Sequence, residues 1–346
     1  MSEKSENSDN LKLNEERVIT TMEDKASEKD IVEKDFIPHF FPTYRIKRKL
    51  YSLPIIIVVL VAGLLAYLTY IEAGVQIEGG YFSESELGAL GGLLNGLIYT
   101  ALAVVSAFVI IYFVKRKGID ILRFIFGISF GLVGFFQTWF FGQIIIFLIF
   151  YKSPILFYLF YFELIFFSAV LVMVMLYKYF TSVSINTKNF IVLYIGLLIG
   201  ASMGVLMPLW TTLAILIGIS CWDIYAVLSK KGPIKQMIDF ASNSGDPENL
   251  LEEEQKEKIK SGDLIYDTSK LEIGIGDLAF YSMLTSSALV QTNNIIVMLF
   301  TAIAIIIGTG ITINGLKRNK ILPGLPISIF LGIGTMLISW YLFSIL

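Results

Sequence analysis

The stretch ISCWDIYAVLSKKG, Ile219–Gly232, holds one carboxylate, Asp223, inside an apolar run that closes on a lysine pair. The run reaches back to Leu209, which gives about 20 residues, the length a helix needs to cross roughly 30 Å of hydrocarbon. A charged acid at that depth costs at least a few kcal/mol, so such residues face protein or a water-filled cavity. What surrounds Asp223 therefore decides how the whole chain is read.

The surroundings are those of a membrane protein. Of 346 residues, 55% are hydrophobic and only 16% charged, with a mean hydropathy of +0.71, well above the apolar content of a soluble domain. The apolar residues fall in runs near 53–71, 88–114, 121–149, 155–177, 189–207, 209–229, 272–291, 295–314 and 324–345. These lengths predict an all-α polytopic membrane protein with nine transmembrane helices. Residues 1–44 differ in kind, with eleven acids, six bases and no apolar period, so 1–50 reads as a flexible charged cytoplasmic tail. The first apolar run lacks the pattern of a secretory signal and reads as a retained helix. Residues 51–207 form an N-terminal bundle of helices 1–5. Residues 208–346 carry helices 6–9, with a cytoplasmic loop at 230–271. The single cysteine, Cys221, cannot form an internal disulfide, and a net charge of −2 gives no footprint for nucleic acid.

Basic residues of short loops orient the helices, because they are retained on the cytoplasmic side. Arg45, Lys47, Arg48 and Lys49 precede the first helix, Lys115, Arg116 and Lys117 follow the second, and Lys178 and Lys188 flank the fourth connection. Lys230, Lys231 and Lys235 follow the sixth, and Lys317, Arg318 and Lys320 precede the ninth. All fall on one face of a nine-helix path. The sequence thus predicts a cytoplasmic N-terminus and an outside C-terminus.

On that path Asp223 lies seven residues from Lys230, or about 10 Å along the helix. The seventh run begins LEIGIGDLAFYSML and travels the opposite way, so Asp277 lies about 8 Å from the same face. Two antiparallel helices thus offer one aspartate each at matching depth, and neither carries a nearby Lys, Arg or His. The remaining way to hold two close carboxyls is to share one proton. Such a pair is equipped for peptide hydrolysis: the ionised member takes a proton from water while the protonated member polarises the carbonyl and then serves the leaving amine. Gly274 and Gly276 precede Asp277 and admit close backbone approach. At the ninth run, NKILPGLPISIF places Pro323 and Pro326 around Gly324 and Leu325, and two missing backbone donors predict irregular backbone lining a cavity.

WDIYAVLSKKGP, GIGDLAFYS and LPGLPISI resemble the three signatures of the presenilin and signal peptide peptidase family of intramembrane aspartyl proteases, in order and spacing over 209–345. The resemblance implies a GxGD-type aspartic endopeptidase with Asp223 and Asp277 as catalytic pair. Gly274, Gly276 and Tyr281 would shape the site, and Pro323, Gly324 and Leu325 would correspond to the family's Pro-Ala-Leu element. It further implies no cofactor, transmembrane-helix proteins as substrates, a presenilin-like orientation and residence in the cell membrane, and the short chain and isoleucine-rich composition suggest an archaeal homologue. A homo-oligomer stays open. Trp222 stands where the family has tyrosine, and Gly324 where it has alanine.

Other acids and other functions have weaker support. Glu163, in YFELIFF, sits about 13 Å into its helix without an equally deep partner, and reads as a hydrogen bond to a neighbouring helix. LLEEEQKEKIK, 250–260, reads as a solvated charged run. GPIKQMIDFA, from Gly232, has apolar residues at helical spacing, which suits an interfacial gate. LIYDTSKLEIG, from Leu264, is β-prone and offers an edge for an extended substrate. The one histidine, His39, lies in the tail, which leaves no histidine zinc motif or histidine base in the membrane. The competing classes are a proton- or cation-coupled transporter or channel with two midplane acids, and a prepilin-type peptidase, which shares GxGD without the proline element.

Overall fold

The computed structural model describes residues 31–32, 42–76, 78–117, 120–182, 184–229, 265–266, 270–316 and 323–345. His39, the stretch from Gly232, the 250–260 charged run and Lys317, Arg318 and Lys320 lie outside the described residues. The chain divides into two compact units, one of residues 1–39 and 241–270, the other of 40–240 and 271–346. In the first unit, two short strands, β1 (Ile31–Val32) and β3 (Ile265–Tyr266), pair in parallel.

The second unit is a helical bundle. It opens with strand β2 (Thr43–Lys47), followed by a 3₁₀ turn, Arg48–Leu50, and helix α1 (Ser52–Ala66). Pro54 sits in the first turn of α1, where its missing N–H has no intrahelical acceptor to forgo. The helix widens into a π turn at Tyr67–Glu72, where Thr69 returns its hydroxyl to the Leu65 carbonyl at 2.7 Å. After the short α2 (Glu84–Leu87) come the long helices α3 (Ala89–Lys117), α4 (Asp120–Phe150) and α5 (Pro154–Thr181). Helices α6 (Ile185–Leu206) and α7 (Leu209–Leu228) are separated by Met207 and Pro208. Strand β4 (Lys270–Gly274) pairs with β2 and runs directly into α8 (Ile275–Thr292). Helix α9 (Ile295–Leu316) follows a left-handed Asn293, and α10 (Leu325–Ile345) ends the bundle.

Eight of these segments are long and apolar enough to cross a membrane, from Arg48–Glu72 to Leu325–Ile345. They match eight of the nine apolar runs, and the chain is an integral multi-pass membrane protein. The remaining run, the seventh, folds as α8, 18 residues long, and falls short in apolarity among the described residues. Its composition explains why. Ser282, Thr285, Ser286 and Ser287 are all fully buried, because α8 lies at the centre of the bundle with α1, α6, α7, α9 and α10 packed round it. A helix sheathed in protein has no lipid-facing stripe to keep apolar. Ser282 donates to the Leu278 carbonyl and Thr285 to that of Tyr281, one turn back, Ser286 reaches across to the Ala62 carbonyl of α1 at 3.1 Å, and Ser287 Oγ has no hydrogen-bond partner among the described residues. Helix α5, by contrast, carries exposed Phe162, Phe166 and Met173 on the outside of the bundle.

Close packing fixes the direction of α8. Gly196 of α6 lies against Ile275 and Leu278, Gly200 against Ala279 and Ser282, and Gly204 against Met283 and Ser286. The partners advance together, so α6 and α8 run parallel, with backbones in direct contact as small residues allow in lipid. Helices α3 and α7 are parallel by the same test, Gly92 meeting Trp210, Gly96 meeting Ala214 and Thr100 meeting Gly218.

Residues 43–50, read from composition as the end of the tail, are β2 and the 3₁₀ turn. Their order comes from long-range partners: Arg45 pairs with Glu272 at 2.9 Å, and Arg48 donates to the Ile313 carbonyl at 2.8 Å.

Candidate active site

Three helix ends converge. Asp223 projects from the last two turns of α7, five residues before its end at Leu228. Asp277 stands in the first turn of α8, at the third helical position after the cap Gly274. The third end is the start of α10, where Pro323 and Gly324 precede the first helical residue, Leu325.

Gly324 ties these ends together through its main chain. The Leu325 N–H, which follows Gly324 directly, donates to Asp223 Oδ2 at 3.2 Å. The Gly324 carbonyl accepts from the Tyr281 hydroxyl at 3.4 Å. Its Cα faces Asp277, such that a methyl group added there would sit 3.2 Å from Asp277 Oδ2. Tyr281, only 1% exposed, is one turn beyond Asp277 and is held at 3.4 Å from Ser328 Oγ, which in turn bonds Thr309 at 3.0 Å. The two aspartates are near enough to interact electrostatically.

This geometry shows how two acids are held without a base. Asp223 caps the N-terminus of α10, taking an amide donor that has no intrahelical acceptor. Asp277 is the third residue of α8, the position of a capping-box carboxyl, and its carboxyl lies close to Gly274 at the cap. Each carboxyl thus meets the positive end of a helix dipole, an arrangement worth about 0.3–2 kcal/mol apiece. Sequence alone showed the absence of Lys, Arg and His; the two helix starts were not recognised as their substitute.

Of the residues expected to form the site, Asp223, Asp277, Gly274, Tyr281, Pro323, Gly324 and Leu325 lie at these three helix ends, and Gly276, in the first turn of α8, is exposed. The proline element is corrected in one respect. Only Pro323 and Gly324 are non-helical, and Pro326 lies within the first turn of α10, where proline removes no helical hydrogen bond. Ser328 and Thr309 were missed, though each is a polar residue in an otherwise apolar run. Trp222 turns away from the site, its ring edge-on to Phe108 of α3 at 5.9 Å and beside Tyr225 at 5.5 Å. Glu163 does not make the expected interhelical hydrogen bond. It is exposed on α5 with no partner among the described residues, because Leu164, Ser168, Val172 and Met175 form the face turned to the bundle.

A polytopic helical bundle with one aspartate on each of two adjoining helices and a proline-flanked helix start between them defines the class of intramembrane aspartate protease folds. The chain belongs to the presenilin family, whose model, described as "Presenilin", matches residues 52–252 and 244–346. It is 36% identical to Presenilin-B of Dictyostelium discoideum over 133 residues, which are 37% of this chain but only 25% of that protein. A presenilin-like protein of Arabidopsis thaliana is 26% identical over 329 residues, 73% of this chain and 80% of its own. Two crystal structures of a presenilin family intramembrane aspartate protease, in space groups C222 and P2, superpose with TM-scores of 0.52 and 0.53 at 14% identity. They cover 84% and 85% of this chain and 97% and 98% of theirs, and so share its fold.

Proposed function

We propose that the protein is an aspartic endopeptidase of the GxGD type, cutting transmembrane helices of other proteins inside the bilayer with Asp223 and Asp277. The observation that carries this reading is the convergence of both carboxyls on the backbone of Gly324. In the proposed cycle the two aspartates hold one proton between them. The ionised aspartate takes a proton from water, whose oxygen bonds the scissile carbonyl carbon, while the protonated aspartate donates to the carbonyl oxygen. As the C–N bond of the resulting gem-diol breaks, the aspartate that took the water's proton gives it to the leaving amine and the other takes a hydroxyl proton from the gem-diol, which returns the pair to its starting state with one shared proton.

A helical peptide bond is shielded by its own hydrogen bonds, so the substrate must unwind locally before attack. Strand β4 ends three residues before Asp277 and supplies an extended edge on which an unwound segment adds as a strand. The membrane path proposed with this activity is nine crossings, α8 included, with the site near the cytoplasmic face. Residues 1–42 and the connection after α7 would lie on that face, in the cell membrane.

Purified protein and a single-pass reporter helix test the reading. Asp223→Asn and Asp277→Asn should each lower cleavage by at least about 10³-fold, with unchanged thermal unfolding, and an aspartyl-protease transition-state inhibitor should block the parent chain. Cleavage that survives either substitution would remove the dyad. Aspartate-dependent ion flux into liposomes without proteolysis would support a carrier instead.

A further inference from the structure

The strand before Asp277 is held from behind by the N-terminal segment. The Pro42 carbonyl accepts from the Ile275 N–H at 3.1 Å, and Arg45 meets Glu272 at 2.9 Å, while Thr43 Oγ1 donates to the same carboxylate at 3.2 Å. Pro42 opposite Ile275 and Arg45 opposite Glu272 describe two strands running in opposite directions. Backbone groups of alternate residues in a strand point to opposite edges. Arg45 turns both of its groups away from β4: its N–H donates to Asn189 Oδ1 at 2.8 Å, and its carbonyl accepts from Asn189 Nδ2 at 2.7 Å. One side-chain amide at the start of α6 thus completes the outer edge of β2 as a neighbouring strand would. Alternation then assigns Tyr44 and Ile46 to the bonds with β4.

The same rule applies to β4. The Ile275 N–H faces β2, so alternation turns the backbone groups of Gly274 to the opposite edge, and the Asp277 carboxyl lies close to Gly274. Among the described residues the sheet has two strands, so the edge of β4 that β2 does not pair is the one on the side of the aspartate.

We propose that β2 is the backing strand of the active site, and that Arg45 and Asn189 are positioning residues that hold β4 extended with its catalytic edge open before substrate arrives. This rests on the proteolytic reading above. A strand ordered in advance spares the substrate the work of ordering it. If loosening β2 left β4 competent about one-tenth of the time, the apparent affinity for substrate would fall about tenfold. Turnover of bound substrate would be little changed, because neither residue touches the aspartates.

The test uses the full chain with Arg45→Ala, Asn189→Ala and the conservative Arg45→Lys, reading kcat and KM on a reporter helix and amide exchange by residue. The two alanine variants should raise KM on the order of tenfold with kcat within about twofold. They should also speed exchange at 271–275 while leaving 283–290 protected. Arg45→Lys, which keeps the ion pair, should restore both. Unchanged KM with unchanged exchange at 271–275 would overturn the proposal, as would a fall in kcat at constant KM. Arg45→Ala decides the matter should Asn189→Ala not fold. If the parent chain cleaves no helix, the proteolytic reading fails, and exchange at 271–275 alone then supports or overturns the backing role.

Discussion

Gly324 acts through atoms that every residue has. Its peptide bond to Leu325 supplies the N–H that serves Asp223, its carbonyl serves Tyr281, and its Cα faces Asp277. The side chain is the one part that varies, and there the space is tight. A methyl at 3.2 Å from Asp277 Oδ2 fits with a small shift of the carboxylate, whereas branching at Cβ does not. Gly324→Ala, which restores the residue usual in the family, should keep cleavage within about tenfold of the parent, and Gly324→Val should reduce it by about 10² or more. Equal loss in both, measured with the same reporter, would show that glycine is required for its backbone freedom. The three motifs were legible in sequence because residue type and spacing encode them. The roles of Gly324 main-chain atoms were not, because no side chain announces them.

At the scale of elements, α6 and α8 depend on contact between backbones. A side chain on Gly200 would meet the Ala279 carbonyl, which cannot move without displacing α8. Gly200→Ala should therefore cost about 1–3 kcal/mol or more, read as a lower thermal midpoint, and should weaken cleavage by shifting the helix that carries Asp277. An unaltered midpoint would mean the helices separate freely. Length and hydropathy sufficed to place the apolar helices, since crossing lipid demands both. They misjudged the segments whose partners are protein. Strand β2 has the composition of a charged tail, yet Glu272 and Asn189, 227 and 144 positions away from Arg45, order it. Distant partners of that kind leave no local pattern.

For the molecule as a whole, parallel pairing of α6 with α8 and of α3 with α7 fits a path in which every long helix reverses the one before. Counting α8 gives nine crossings; the apolar segments alone give eight. The two counts differ in an observable way. With nine, tags at the N- and C-termini of the intact protein should be labelled by an impermeant reagent from opposite faces of the membrane, and with eight from the same face.

The serine- and threonine-rich interior of α8 also bears on how the protein is made. A helix whose hydroxyls are satisfied mainly by its own turns and by α1 has little intrinsic tendency to leave water for lipid, so its insertion draws on helices already in place. Asp277 travels with it. The two carboxyls would consequently come into register only as the last helices assemble, and the nascent chain would pass through biogenesis with the two members of the proposed pair still apart.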